Sequence, residues 1–140
     1  MNAAGYNPMR WQCSERGCYN VKHRPKIEYF AVALPGKIAM TDVDATTEVN
    51  GHFLFPEWKS GEPRDLPTGQ RIYAQRLTLL SEKITYVVVC GDAETMEVKA
   101  VLPVAKGKLY AWQSCDLEGL FDRIKRWSTK ARIQIVARAA

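Results

Sequence analysis

Residues 83–92, KITYVVVCGD, form a nearly continuous apolar run, and this run constrains the fold of the chain more than any other feature. A strand with one buried face alternates apolar and polar residues, whereas a strand buried on both faces is apolar throughout. The run therefore predicts a strand that is covered on both sides of its sheet. With 140 residues, the chain has the size of one ordinary domain and can bury such a core.

Apolar residues recur with helical spacing in three other segments, and strand-like patterns fill most of the remainder. The predicted helices cover 26–34, 69–81 and a last helix that starts at Ser114 or Asp116, and the predicted strands cover 37–49, 52–59, 83–92, 97–104 and 108–112. These elements predict an α/β (α+β) fold with a central mixed β-sheet flanked by helices. We expect a single domain over 1–140, with a loosely ordered start at 1–12, a core at 20–92, C-terminal strands and a helix at 97–132, and a short strand or tail at the end.

Composition and charge narrow the class of protein. The chain carries 20 Lys and Arg against 15 Asp and Glu, a net charge of +5 that suits a polyanionic partner without requiring one. No apolar run approaches the roughly 20 residues of a membrane span, and residues 1–17 lack the apolar core of a secretory signal. We therefore expect an intracellular, cytoplasmic protein with no membrane partner. Cys13 and Cys18 are predicted to be reduced thiols, with a redox pair or a partial metal site as the alternative.

Ionisable residues stand near the ends of a predicted hairpin, where strands usually avoid them. The Asn-Gly pair at 50–51 predicts a tight turn, so that the strands on either side pair antiparallel. Because side chains alternate along a strand, Asp42 and Asp44 share one face of the first strand, and Glu57 and Lys59 share one face of the second. In a tight register, counting outward from the turn places Asp44 opposite Glu57.

Two neighbouring carboxylates repel each other when both are ionised, and a divalent cation relieves that repulsion. Hard oxygen ligands suit Mg²⁺ or Mn²⁺. Lys59, two residues beyond Glu57, is placed to orient or activate a water molecule on such a metal. The pattern therefore indicates metal-assisted phosphodiester hydrolysis. The alternative is that Asp42 and Asp44 are solvated and that Glu57 and Lys59 form an ordinary ion-pair ladder.

The spacing of these residues resembles the core of the PD-(D/E)XK nuclease superfamily. Asp44 is followed thirteen positions later by Glu57-Trp58-Lys59, and LPTGQRI at 66–72 puts Gln70 at the start of the next helix. The resemblance covers roughly residues 10–90 and is closest in type to small phage proteins, VRR nucleases or Holliday-junction resolvases. It implies a restriction-endonuclease-like fold and a DNA endonuclease that depends on Mg²⁺ or Mn²⁺ and acts on particular DNA structures.

The resemblance also implies roles for single residues. Asp44 and Glu57 would hold the metal with help from Asp42, Lys59 would activate the attacking water, and Gln70 would orient the water or a phosphate oxygen. Some branches add a metal-facing glutamate from the first helix, for which the candidates are Glu28 and Glu15. The basic residues expected to contact the DNA backbone are Lys22, Arg24, Lys26, Arg71 and Arg76. Because one domain carries one site, cutting both strands would need a homodimer.

Pro56 departs from the superfamily pattern. A proline cannot donate a hydrogen bond to a sheet, so its place next to Glu57 implies an edge, a bulge or a distorted site. It favours the alternative function, a catalytically inactive module of phage origin that keeps the fold and binds nucleic acid or protein. The basic face of the last helix is either simply solvated or a further surface for phosphate contacts; it carries Arg123, Lys125, Arg126 and Lys130.

Overall fold

The computed structural model describes Gly17, Val21 and residues 24–139, with side chains up to residue 133. Its contacts divide the chain into two compact units, Met1–Asp42 and Val43–Ala140. This division concerns compactness and does not test whether 1–140 is the single domain predicted above. The predicted loose start at 1–12 and the thiols Cys13 and Cys18 lie outside the described residues.

In the first unit, a short 3₁₀ helix occupies Ile27–Ala33, inside the segment predicted as a helix at 26–34. None of its residues is buried, although Tyr29 and Val32 are large and apolar. Its single acidic residue, Glu28, lies in the first turn.

The second unit contains a six-stranded mixed sheet and two α-helices. The elements are β1 (Thr47–Val49), β2 (His52–Ser60), α1 (Thr68–Leu79), β3 (Ile84–Asp92), β4 (Glu97–Ala105), β5 (Lys108–Leu109), β6 (Gln113–Ser114) and α2 (Leu117–Ala139). The strands lie in the order β1-β2-β3-β4-β5, and β6 also pairs with β4. Only β2 and β3 are parallel among these pairs, and α1 connects them. The predicted α+β class with a central mixed sheet and flanking helices is confirmed.

The turn at 50–51 joins β1 and β2 as predicted. Asn50 and Gly51 both have positive φ, 50° and 83°, which is typical of the two-residue turns that match the twist of a hairpin. The antiparallel pairing runs from Val49 opposite His52 to Thr47 opposite Leu54. β1 begins only at Thr47, so the prediction of a strand over 37–49 is wrong for residues 37–46. These residues are exposed and pair with no described strand.

Helices α1 and α2 cover opposite faces of the sheet, because side chains alternate along the buried strand β3. Val88 packs in one apolar cluster with Ala74 of α1, and Val87 packs in a second cluster with Leu120 of α2. Residues 86–90 are all buried. The prediction of a strand covered on both faces is therefore confirmed.

The C-terminal helix differs from the prediction at its end. The last residues were expected to form a short strand or a tail, but α2 continues to Ala139. No glycine or proline follows Gly119 in the sequence, so nothing in the backbone chemistry stops the helix. Among the described residues, no helix is both long enough and apolar enough to cross a membrane.

Candidate active site

Glu57 and Lys59 point to the face of the sheet that α1 covers. In the parallel register of β2 and β3, Glu57 is level with Val88 and Lys59 with Cys90. Val88 packs against α1, so its in-register neighbour Glu57 lies on the same face. The two charged side chains are only 15% and 21% exposed, and the Lys59 Nζ atom lies 4.0 Å from Glu57 Oε2. The sequence prediction that they share a strand face is confirmed.

Gln70 lies in the first turn of α1 and contacts Glu57 directly. Its Nε2 atom donates a hydrogen bond of 3.1 Å to Glu57 Oε2. Because an ionised carboxylate only accepts hydrogen bonds, the amide nitrogen must face Glu57 and the amide oxygen must face away. That oxygen, Oε1, is buried and has no hydrogen-bond partner among the described residues. A buried acceptor of this kind normally binds water or a ligand.

Asp44 reaches β2 through its side chain. It lies in the segment before β1 and not in a strand, so the prediction of a strand position is wrong. Its Oδ2 atom accepts a hydrogen bond of 2.7 Å from the backbone N–H of Trp58. The register of β1 and β2, continued outward, brings position 44 level with position 57. Asp44 therefore lies beside the Glu57-Trp58 peptide, as the count from the turn predicted, but without strand pairing.

The direction of the backbone amides explains why Pro56 is tolerated next to Glu57. The amides of Phe53 and Gly61 donate toward the β3 side, to Lys83 and Gly91. Since amides alternate along a strand, the nitrogen of Pro56 faces the other side of β2, beyond the last pair of β1. The proline costs no sheet hydrogen bond there. Of the expected explanations, an edge position is the one observed.

Tyr86 is part of the site, although the sequence analysis did not identify it. It is buried on β3, and its ring makes an edge contact with Tyr73 of α1 at 6.3 Å between centroids. Burial, followed by the negative charge of Glu57 and more weakly that of Asp44, raises the pKa of the Tyr86 hydroxyl well above its ordinary value. The hydroxyl therefore stays protonated. Knowledge of the parallel β2–β3 register would have placed it one strand from Glu57.

Two of the remaining acids proposed for the metal, Asp42 and Glu28, belong to the first unit. Asp42 is exposed, and neither Asp42 nor Asp44 lies in a strand, so the prediction that they share a strand face is wrong. Glu28 is hydrogen-bonded to Arg24 at 2.9 and 3.1 Å, and this bonding lowers the pKa of Glu28 to about 2. Glu15 lies outside the described residues.

The basic residues predicted to contact DNA lie in both units. In the first unit, Arg24 binds Glu28, and Lys26 Nζ donates to the backbone oxygens of Val21 and Arg24. In the second unit, Arg71 and Arg76 are exposed on α1. Lys22 lies outside the described residues.

The acidic side chains near Gln70 and Lys59 are Asp44 and Glu57. Within the described ranges there is no group of three or more His, Cys, Asp and Glu side chains arranged to hold a metal. Mg²⁺, however, is usually held by one or two carboxylates, with water and substrate phosphate filling its other positions. Asp44 and Glu57 supply two carboxylates, and Asp44 Oδ1 takes no part in the bond to Trp58.

The chain matches no family model, no curated protein and no solved structure at a significant level.

Proposed function

We propose that this protein is a metal-dependent DNA endonuclease of PD-(D/E)XK type that hydrolyses phosphodiester bonds. The observation that carries the proposal is the convergence of four side chains on β2: Asp44 on the Trp58 amide, Gln70 on Glu57, and Lys59 beside Glu57. The succession of strand, helix and parallel strand supports it, because the superfamily places its E-x-K motif and its glutamine on such a strand and helix, although Asp44 precedes β1 and does not lie in a strand.

Asp44 and Glu57 are the residues that would hold Mg²⁺ or Mn²⁺. The ion, when bound, polarises the scissile phosphate and makes a water molecule a better nucleophile near neutral pH. Gln70 fixes the orientation of Glu57 by binding one of its oxygens. A carboxylate held in one orientation loses less freedom when it takes a ligand.

Lys59 and Gln70 act on the water and on the phosphate. The Lys59 ammonium is mostly shielded from solvent, so its charge is screened less than that of a surface lysine. It stabilises the negative charge that develops on the phosphate oxygens as the nucleophile attacks. The buried Gln70 Oε1 can accept a hydrogen bond from the attacking water and orient it. Tyr86 is protonated at working pH, so it adds no negative charge near the two carboxylates.

The position of the site beside α1 and the presence of one site per domain also bear on DNA binding and on oligomeric state. Arg71 and Arg76 extend from α1, the helix that also carries Gln70, and are suited to bind the DNA backbone. A single site cuts one strand, so a double-strand break requires a homodimer. We place this activity in the cytoplasm.

Cleavage of a nucleic-acid panel tests the proposal. The panel contains supercoiled plasmid, linear duplex, single strands, a flap and a four-way junction, each with Mg²⁺, with Mn²⁺ and with chelator. Wild type is compared with Glu57→Ala and Lys59→Ala. Matched controls are Glu82→Ala and Lys106→Ala, which remove the two members of an exposed ion pair elsewhere on the same unit.

We expect metal-dependent cleavage by wild type and by both controls, and a loss of about a hundredfold or more in each site variant. Cleavage that survives in Glu57→Ala or Lys59→Ala would assign the activity to another site or to a contaminant. An absence of cleavage on every substrate would favour the inactive binding module, because the same fold would then keep only its nucleic-acid or protein contacts.

A further inference from the structure

The outer face of α2 carries a concentrated positive charge. Between positions 123 and 133 the sequence has five basic residues and no acidic residue. The inner face of the helix packs through Leu120, Ile124 and Trp127 against the sheet, and Ala131 is buried. The cations lie mostly on exposed positions, namely Lys125, Arg126, Lys130 and Arg132, with Arg123 half-buried.

These cations line concave surfaces that meet at one residue. Three cavities of about 590, 220 and 560 Å³ lie along α2, and Arg126 lines all of them. Arg123 lines the first two, whereas Lys125 and Lys130 line the third. We call this surface the α2 groove and define it by Arg123, Lys125, Arg126 and Lys130.

Among the described residues that line the three cavities, the acidic ones lie at one end of the groove. Asp116 and Asp122 line the first cavity together with Lys99, so the charge there is mixed. From Arg123 toward the C-terminal end, the lining side chains are basic, polar or apolar, and the exposed Ile133 closes the third cavity. The positive charge of the groove is therefore continuous over about two turns of helix.

We infer that the α2 groove binds the phosphate backbone of a nucleic-acid strand. The rise of an α-helix, about 1.5 Å per residue, gives a length of about 10 Å from Arg123 to Lys130. In a B-form duplex each strand carries a phosphate about every 3.4 Å, so the groove matches about three phosphates of one strand. Arginine also presents a planar fork that suits phosphate oxygens, and two of the four cations are arginines.

An acidic protein segment is the competing partner for a basic groove. The nucleic acid is favoured because a strand carries one charge about every 3.4 Å, which is close to the mean density of the four groove cations over about 10 Å of helix. Binding here does not depend on the proposed nuclease activity. The groove lies on the α2 face of the sheet, whereas Glu57 and Lys59 lie on the α1 face.

The test is fluorescence anisotropy with a short labelled DNA strand, the RNA strand of the same sequence and a labelled poly-glutamate peptide. All titrations contain chelator, so that the outcome is independent of cleavage. The variant Arg126→Glu/Lys130→Glu reverses two exposed charges of the groove. The control Lys37→Glu/Lys106→Glu reverses two exposed charges elsewhere and changes the net charge equally. Circular dichroism melts check that both variants fold.

We expect the groove variant to weaken binding of the DNA and RNA strands at least about tenfold, with a much smaller effect of the control. Between about 50 and 200 mM salt, the slope of log K against log salt should fall by about 1.4, since each lost phosphate contact removes about 0.7. Equal weakening by both variants would show a net-charge effect only and would overturn the inference. Tighter, groove-dependent binding of poly-glutamate would overturn it in favour of an acidic protein partner.

Discussion

The hydrogen bond from the Trp58 amide to Asp44 holds the Asp44 side chain beside β2, and Asp44→Ala removes it. The donor N–H lies on the side of β2 that β1 no longer covers, so the described strands offer it no other acceptor. In the variant this amide donates its hydrogen bond to water instead. The replacement removes no partner of the Glu57–Gln70 hydrogen bond, which should stay intact.

The expected loss of stability follows from the kind of bond and its exposure. A hydrogen bond to a charged group contributes about 1.5–3 kcal/mol, and the low end applies because Asp44 is exposed and water can replace it. We expect Asp44→Ala to lower the free energy of unfolding by about 1.5 kcal/mol, or the melting temperature by about 5 °C. Asp44→Asn keeps an acceptor of the same shape and should lose about half as much.

Amide hydrogen exchange measured by NMR reports on this bond directly. The Trp58 amide should be protected in wild type, should exchange more than about tenfold faster in Asp44→Ala, and should keep most of its protection in Asp44→Asn. The amide of Phe53, which donates to Lys83, serves as the internal control and should be unchanged. If the Trp58 amide exchanges at the same rate in wild type and Asp44→Ala, with equal stability, the carboxylate is not bound to β2 and the geometry of the site is wrong.

Three further predictions concern β3 and the site. Gln70→Leu removes the donor to Glu57 and should lower kcat for cleavage at saturating metal about tenfold or more. The control Gln75→Leu, further along α1, should leave kcat unchanged. Because the pKa of Tyr86 is raised in the folded state, the stability that its hydroxyl contributes is complete below pH 10 and is lost as pH rises above it. Tyr86→Phe removes this loss. Urea melts should therefore show a smaller drop in stability from neutral pH to above pH 10 for Tyr86→Phe than for wild type. Gly91→Ala should destabilise the fold by about 3 kcal/mol or prevent soluble expression, because a Cβ atom there overlaps the backbone of Glu97. Unchanged melting would show that Gly91 does not approach the backbone of β4 so closely.

The elements that sequence predicts best are those whose signal is local. The Asn-Gly turn needs positive φ at both residues, and the apolar run of β3 is buried on both faces, so each was found at its place. The shared strand face of Glu57 and Lys59 follows from the alternation of side chains along the strand that leaves the turn. The contact of Gln70 with Glu57 could not be predicted from a local pattern, because it joins the start of a helix to a strand thirteen residues away.

The parts that were missed depend on partners that a strand pattern does not reveal. Residues 37–46 have strand-forming composition, but strand formation needs a neighbour, and the described strands offer none beyond β1. For the same reason Pro56 looked unfavourable, since the side of β2 that its nitrogen faces could not be known from the sequence. Tyr86 was missed because its proximity to Glu57 depends on the parallel register of β2 and β3.

Metal-dependent stabilisation measures the central claim, that Asp44 and Glu57 jointly hold a divalent cation. Thermal melts with increasing Mn²⁺ or Mg²⁺ are run on wild type, Asp44→Asn, Glu57→Gln and the control Glu62→Gln, which alters an exposed ion pair with Lys99. A ligand at a hundred times its Kd adds about 2.7 kcal/mol to the stability of a folded protein. The account predicts a saturable rise in melting temperature for wild type and control that either site variant abolishes. The same rise in all four proteins, or no rise in any, would contradict it.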